Sequence, residues 1–440
     1  MLNSLWADTC TLPQFPTLEG NAKTDVLIIG GGLAGLLTAY HLHQAGVPYL
    51  LIEADRIVSG VTRNTTAKIT AQHGLIYDAV QKQFGEETAK LYYQANSDAV
   101  EKYRQLSREI DCDFEDQDSY VYSVEHPEKL EQEMKALAAL KIPADFVRKT
   151  SLPFPTVGAI RFPKQAQFHP LKFAAAVCKD LNIREKTRAL AFDGNRVSTN
   201  RGVIWAKKIL VTTHFPLLNK HGSYFLKLYQ ERSYVLALEN GPKLDGMYRD
   251  EAQSGLSLRS YGNRLLLGGG AHRTGKKSSG WVPLEQAANR YFPETTPLCQ
   301  WATQDCMSLD KLPYIGSYSS RTPNLYVATG FNKWGMTGSM VAAAIMDNLL
   351  QDKPDPYGEV FSPSRTILRK QLFVNGFSSA AHLLTPTKPR CPHLGCALKW
   401  NPQEHSWDCP CHGSRFDADG ALLDNPATGD LPNTKERGRP

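Results

Sequence analysis

No run of apolar residues in this 440-residue chain approaches the roughly 20 needed to cross a bilayer as a helix, so no integral membrane span is expected. The opening Met-Leu-Asn-Ser-Leu-Trp-Ala-Asp has neither a basic leading stretch nor an apolar core; export is not expected, and a cytoplasmic location is. Internal repeats, low-complexity tracts and recognisable nucleic-acid modules are also missing. Charge of either sign is barely in excess: 50 Lys and Arg against 44 Asp and Glu leave a net +6, too little to imply a polyanionic partner. The terminal Lys435-Glu-Arg437-Gly-Arg439 reads as a solvated tail. Cysteine is sparse, and five of the nine (Cys10, Cys112, Cys178, Cys299 and Cys306) are scattered, as reduced structural thiols would be. What is left is an ordinary globular composition at a length that suits two or three domains.

Asp25-Val-Leu-Ile-Ile29 is a short continuous apolar run, consistent with a parallel strand buried on both faces. It leads into Gly30-Gly31-Gly32-Leu-Ala-Gly35, a helical stretch to Gln44 that stops at Gly46, and a second apolar strand, Tyr49–Ile52, ending at Glu53. Strand, glycine turn, helix and acidic residue in that order form a dinucleotide-binding fingerprint. Gly30 permits the tight turn, Gly32 lets the backbone approach a pyrophosphate, and Gly35 allows close helix–strand packing. The helix N-terminus offers unpaired amides to the phosphates, and Glu53 accepts from ribose hydroxyls. The competing reading is a glycine-rich turn that binds no nucleotide.

The fingerprint alone does not separate FAD from NAD, but its companions favour FAD. Ser59–Lys68 is a polar loop, with Thr62 and Thr66, suited to the flavin half of a dinucleotide. Asn324–Ala328 reads as a strand entering Thr329-Gly330-Phe-Asn-Lys-Trp334-Gly335-Met336-Thr337-Gly338, with a helix through Leu350. That second glycine-rich helix N-terminus would point at the flavin N1/C2=O edge, where negative charge collects on reduction. Gly330, Trp334, Gly335, Met336 and Thr337 are its candidate cofactor contacts.

Near the other end, Cys391-Pro-His393-Leu-Gly-Cys396 is followed by Cys409-Pro-Cys411-His412-Gly-Ser414. Two thiolates and two imidazoles satisfy the donor count of a zinc site. A zinc finger, however, usually keeps its cysteines together and its histidines together, whereas each loop here contributes one of each. A Rieske [2Fe–2S] centre needs that arrangement, one iron taking both sulfurs and the other both imidazoles.

The segment resembles the Rieske domains of electron-transfer complexes such as cytochrome bc1 and b6f, whose C-x-H-x-G-C and C-P-C-H-G-S-x-Y/F-D pattern is matched at 391–396 and 409–417. The resemblance implies Cys391, His393, Cys409 and His412 as cluster ligands and a disulfide between Cys396 and Cys411. Ser414 falls where the family's serine donates to a bridging sulfide. Phe416 stands where high-potential members have a tyrosine; lacking the hydroxyl, it implies a lower potential. Pro426 and Ala427 resemble the loop over the cluster, with Asn425 where a glycine usually stands. The family's strands ahead of the first ligand loop are shortened: Pro354, Pro356, Pro363, Pro386 and Pro389 punctuate 352–390, and only Gln371–Leu384 is apolar enough to pack. So thin a core leans on its metal or its disulfide.

The rest of the chain, about 20–350, resembles the D-amino-acid-oxidase-like FAD-dependent oxidoreductases, among them sarcosine oxidase, glycine oxidase and gamma-glutamylputrescine oxidoreductase. With the C-terminal segment it resembles a bacterial family of fused FAD–Rieske oxidoreductases. The implied fold is an α/β Rossmann-like FAD domain built from about 20–75, 165–220 and 305–352, with an α+β substrate domain from 76–164 and 221–304. A linker over 353–384 and a small all-β Rieske domain over 385–440 complete it. Lys208–Thr212 running into Thr213-His214-Phe-Pro216, and His169-Pro170 before an Ala-rich helix, fit this plan.

Arg232, Tyr248, Arg259, His272 and Arg273 fall in the substrate-domain half. The resemblance implies an arginine that clamps a substrate carboxylate with its planar fork, and Arg259, in a strand-like stretch, is the candidate. His272 follows Gly268-Gly-Gly270-Ala and is either catalytic or structural. Lys68 reaches the flavin N5 region through water or serves the phosphate loop, and Trp334 packs on the flavin or in the core. Ala89, Tyr92, Ala99, Tyr103 and Leu106 share a helical face that reads as core, and Tyr120 and Tyr122 alternate as in a strand. The expected activity is oxidation of a small amine or amino acid by FAD, with electrons passing to the Rieske cluster and on to an external protein or quinone. An O2-using oxidase with a peripheral Rieske tail, or a carrier without small-molecule turnover, are the alternatives.

Overall fold

The computed structural model describes residues 3–218, 221–366 and 389–432, with Leu372, Asn375, His382, Leu383 and Thr385 between them. The remainder of the stretch Gln371–Leu384 and the tail Lys435–Arg439 lie outside the described residues.

The first sheet has eight strands, and its main path runs Tyr314–Ser317, Leu325–Thr329, Val203–Val211, Ala22–Ile29, Tyr49–Ile52 and Ile183–Arg184. All pairings on this path are parallel except the one that adds Tyr314–Ser317 at the edge. Val26–Ile29 is buried throughout, as an apolar run covered on both faces must be. The helices Leu33–Gln44 and Gly335–Leu350 pack against each other beside this sheet. Leu36, Leu37, Ala39 and Leu42 of the first are fully buried, as are Ala342, Ala343, Ile345 and Met346 of the second. Burying a leucine side chain stabilises by about 1.5–3 kcal/mol, so this pair anchors both glycine-rich turns.

The second sheet has nine strands, with the path Thr296–Ser308, Leu228–Glu239, Arg264–Arg273, Ser257–Tyr261, Gly246–Asp250, Glu115–Ser123, Gly158–Gln167 and Lys68–Ile69. It is mixed, because Gly246–Asp250 lies parallel to Glu115–Ser123 while its other pairings are antiparallel. Three strands cross the borders read from the sequence: Lys68–Ile69 joins this sheet, Gly158–Gln167 runs past residue 164, and Thr296–Ser308 runs past residue 304. The helix Glu86–Leu106 buries Ala89, Tyr92, Ala99 and Tyr103, and Tyr120 and Tyr122 are buried on one face of their strand.

The third sheet is a small antiparallel one of Lys399–Asn401, Ser406–Asp408, Arg415–Phe416 and Leu422–Asp424. Its core consists of Cys391, Cys396, Leu398, Cys409, Cys411, Phe416, Ala427 and Leu431. Half of those are cysteines of the motif, so the core of this domain and its metal-ligand region are the same residues. Among the described residues no helix is long and apolar enough to cross a membrane. Cys10, Cys112, Cys178, Cys299 and Cys306 carry no disulfide.

Candidate functional site

At the end of the first strand Gly30 adopts φ +116, and a Cβ there would sit 2.8 Å from the Thr212 carbonyl oxygen. A Cβ on Gly35 would sit 2.0 Å from the Gly30 oxygen, so helix and turn touch backbone to backbone. Gly32 differs: an added Cβ would meet only the Thr62 hydroxyl, at 3.8 Å. Gly30 and Gly32 line a cavity of about 740 Å³, within the range of small-molecule sites. Glu53 lines the same cavity; its carboxylate accepts from the Gly31 and Asp55 amides at 2.7 and 2.8 Å, and burial raises its pKa. Thr62 accepts from the Leu33 amide at 3.2 Å, inside the first helical turn.

Thr62, Thr66 and Lys68 continue the wall toward Trp334, Gly335 and Met336 at the start of the second glycine-rich helix. Gly330 and Thr337 stand outside the lining. Gly330 has φ +72 and makes the turn, while the Thr337 hydroxyl donates to the Thr70 carbonyl at 3.2 Å. His73 stacks on Trp334 with ring centroids 4.8 Å apart, and the Arg249 guanidinium lies 5.4 Å from the Trp334 centroid.

Arg249 is the arginine that the sequence reading passed over. It lines the cavity, its Nε is buried without a hydrogen-bond partner, and burial lowers its pKa. Arg259 is placed differently. Its Nη1 donates to the carbonyls of Thr66 and Ala67 at 2.7 and 2.9 Å, and the residue is 1% exposed and outside the cavity lining. Its Nη2 is buried without a hydrogen-bond partner, but the residue does not face the cavity. His272 is also outside the lining: it stacks on Tyr234 at 5.7 Å and lies near Arg232 and Glu404, a structural setting. Lys68 does reach the cavity, but its ammonium donates to the Tyr248 carbonyl at 2.8 Å and to the Ser257 hydroxyl. Burial, with Arg249 and Arg259 nearby, pushes its pKa well down. Asp305 and Lys333, unremarked in the sequence reading, also line the cavity. Burial pushes the Asp305 carboxyl up to about 6, and Lys333 pairs with Glu231 at 2.9 Å. Tyr248 stands next to Arg249 on one strand, and alternation there was the signal that could have found it.

The two C-terminal ligand loops close in the same way. The Cys391 amide donates to the Cys396 carbonyl and Gly395 to Cys391; likewise Cys409 donates to Ser414 and Gly413 to Cys409, all at 2.8–2.9 Å. Cys396 and Cys411 form a disulfide with Cα atoms 6.7 Å apart, joining the loops. The Cys391 and Cys409 thiols share a hydrogen bond, which holds Cys391 down at about 7 and pushes Cys409 up. The His393 and His412 rings lie 5.0 Å apart and nearly perpendicular, and burial holds them neutral, at about 4 and about 3. Nδ1 of His412 is buried with no hydrogen-bond partner. Two paired thiols beside two neutral imidazoles, one with an orphaned nitrogen, fit a cluster that takes sulfur on one iron and nitrogen on the other. Among the described residues the sulfurs of Cys396, Cys409 and Cys411 also lie within 4.8 Å of one another, but two of these are committed to the disulfide. The Ser414 hydroxyl accepts from the Ala427 amide at 3.0 Å, tying the covering loop down, and Phe416 is fully buried.

The small domain is not a free appendage. Phe215, just past the strand Val203–Val211, lies 6.2 Å from the His393 ring and 6.3 Å from the His412 ring. Asn425 donates to the carbonyls of Phe215 and Thr213, and Arg273 donates to those of Pro410 and Cys411 at 3.2 and 3.1 Å. Arg232 pairs with Glu404, which also pairs with Arg415 at 2.9 Å, all three nearly buried. Arg415, Asp424, Asn425 and Ala427 line the same cavity as Gly30 and Trp334.

The family model described as FAD dependent oxidoreductase matches residues 25–349, and the one described as Rieske [2Fe-2S] domain matches 364–435. The putative Rieske 2Fe-2S iron-sulfur protein YhfW of Bacillus subtilis is 35% identical, across 96% of this chain and 95% of its own. Gamma-glutamylputrescine oxidoreductase of Escherichia coli is 30% identical over 23% of this chain and 24% of its own. Among solved structures, glycine oxidase from Geobacillus kaustophilus shares the fold with a TM-score of 0.65, covering 78% of this chain and 99% of its own at 18% identity. The first family model implies FAD, the second a [2Fe-2S] cluster, as the resemblances led us to expect. The chain belongs to the FAD dependent oxidoreductase (DAO) family and carries a Rieske [2Fe-2S] domain after its flavoprotein portion.

Proposed function

We propose that the protein oxidises a small amino acid at the carbon beside its nitrogen and passes the electrons through its Rieske domain to an external acceptor, a protein or a quinone. The observation that carries this reading is the shared wall: Gly30 and Gly32 of the fingerprint, Arg249 and the Rieske residues Asp424, Asn425 and Ala427 all line one cavity. When bound, FAD supplies two-electron oxidation of the substrate and the cluster supplies one-electron transfer, so together they step a pair of electrons down to single ones. In this reading the backbone at Gly30 and Gly32 cradles the pyrophosphate and Glu53 holds the ribose. The helix starting at Gly335 stabilises charge on the flavin ring, with Trp334 and Met336 beside it. Cys391, His393, Cys409 and His412 hold the cluster.

Arg249 takes over the carboxylate clamp first given to Arg259. Its unpartnered Nε and its seat over Trp334 leave a planar fork facing the cavity. Arg249→Lys should raise KM for an amino-acid substrate about tenfold or more, the loss expected when a bidentate charged contact becomes a point charge. Amines without a carboxylate should change little. Arg259→Lys should lower stability instead, without separating the two substrate types. Equal effects of Arg249→Lys on both types would reject the clamp.

The whole reading is tested by screening amino acids and amines anaerobically against protein prepared without air. One substrate should bleach the flavin, and a Rieske-type paramagnetic spectrum should then appear as the flavin reoxidises. His412→Ala should bleach in the same way and give no such spectrum. Zinc in place of iron and acid-labile sulfide would remove the electron-transfer half. Flavin reoxidised by O2 alone, with the cluster never reduced, would favour an oxidase.

A further inference from the structure

We infer that the Rieske domain is permanently docked, and that Gln230 and Gln304 form a buried amide clamp that holds its second ligand loop against the cofactor cavity. This rests on the electron-transfer reading above and adds to it the positioning residues and the fixed geometry.

The Gln230 amide donates to the His412 carbonyl at 2.7 Å and to the Asn425 carbonyl at 3.0 Å. The Gln304 amide donates to the Gly413 carbonyl at 2.8 Å and to the Gln230 side-chain oxygen at 2.9 Å. The Thr274 hydroxyl in turn donates to the Gln304 oxygen at 3.0 Å. Gln230, Gln304 and Thr274 are 1%, 3% and 1% exposed, so these bonds form away from solvent. A Cβ on Gly413, which has φ +86, would sit 2.6 Å from the Gln230 Cβ; the ligand loop lies directly on that side chain.

The three bonds to the His412, Asn425 and Gly413 carbonyls are lost if the small domain swings away, while the Gln304–Gln230 and Thr274–Gln304 bonds keep both amides aimed at the seat it occupies. The ligand loops take their support from the second sheet of the flavoprotein portion, in which Gln230 and Gln304 sit on the neighbouring strands Leu228–Glu239 and Thr296–Ser308. His412 is 2% exposed and faces Phe215 and Phe225, so a partner from outside does not reach its ring while the domain is docked. Electrons therefore enter the cluster from within the chain. When bound, a two-electron-reduced flavin would give up its electrons one at a time, with its protons passing to water. A cluster held by Cys391, His393, Cys409 and His412 would take each electron as one ferric ion going to ferrous, and an external one-electron acceptor would empty it before the second followed.

The test uses the full holoprotein, with the flavin reduced by a light pulse and flavin and cluster followed separately. In wild type the transfer rate should be independent of protein concentration and of glycerol viscosity, and diethyl pyrocarbonate should leave His412 unmodified. Gln230→Met keeps the bulk and removes both donors. Its iron, sulfide and g values should match wild type, while transfer slows, loses its independence of viscosity, and His412 becomes modifiable. A wild-type rate that falls with viscosity or scales with concentration, or a readily modified His412, would overturn fixed docking. Wild-type behaviour of Gln230→Met in every readout would remove the clamp. A wild type in which reduced flavin never reduces the cluster would instead count against the proposed function, with docking still read by His412 protection.

Discussion

Gly32→Val should yield a folded protein that carries no flavin and has lost essentially all activity. The three fingerprint glycines are unlike one another in what surrounds them. A side chain at Gly35 would collide with the Gly30 carbonyl, and one at Gly30 with the Thr212 carbonyl, so substitution at either breaks the packing of strand, turn and helix. Gly32 has φ −74, which any residue adopts, and the nearest atom to an added Cβ is the Thr62 hydroxyl at 3.8 Å. The valine methyls therefore go into the cavity, where a pyrophosphate would need the backbone to come close. Circular dichroism and cooperative melting should be preserved. The melt should fall only by what the bound cofactor adds, about 2.7 kcal/mol at a hundredfold excess over its Kd. Flavin absorbance should be absent after desalting. Full flavin occupancy in Gly32→Val would show that the nucleotide does not lie on this turn.

Replacing Glu404 with glutamine should cost about 3–5 kcal/mol and release the Rieske domain from its seat, because it strands a buried guanidinium. Glu404 accepts from Arg232 and from Arg415, with all three side chains less than a tenth exposed. Arg415 keeps Asp408 and Asp424, at 3.0 and 3.1 Å, but Arg232 is left with Asp424 at 3.9 Å. Burial by itself would raise the Glu404 pKa; the two arginines outweigh it and hold the carboxyl below the usual range. The stability it contributes is therefore present above the unfolded value, about 4.3, and is lost as pH falls through the lower folded value. Denaturant titration of wild type and Glu404→Gln, with limited proteolysis of the C-terminal domain, reads the effect. A change within about 0.5 kcal/mol would mean that the ion cluster is incidental to docking.

The parts of this protein that were legible in its sequence are those whose chemistry is local. Strand, Gly30-Gly31-Gly32, helix and Glu53 occupy one stretch, and Gly31, Gly32 and Gly35 answer to Glu53, Thr62 and Gly30 within or just beyond it, while Gly30 answers to the adjoining strand end at Thr212. The ligand loops are local too, each closed by its own pair of backbone bonds, and the spacing of Cys and His within them is the motif itself. Core readings along the helix Glu86–Leu106 succeeded because periodicity reports which face is buried.

The choice between Arg249 and Arg259 was not legible. They sit on the adjacent strands Gly246–Asp250 and Ser257–Tyr261, in similar surroundings of apolar and polar residues. Only the sheet decides that one guanidinium meets the Thr66 and Ala67 carbonyls while the other stands over Trp334. The placing of His272 was not legible for the same reason: Gly268 and Gly269 before it line the cavity, but the ring itself turns to Tyr234.

The sequence by itself determined the cofactors and the family, because phosphate turns and cluster loops are built from contiguous residues with few alternatives. Tertiary structure alone decided how the two halves meet. Gln230, Gln304, Phe215, Arg232 and Glu404 are scattered along the chain and carry no motif. Their partnership follows from strand order and from the burial of polar groups that find their complements only across the interface.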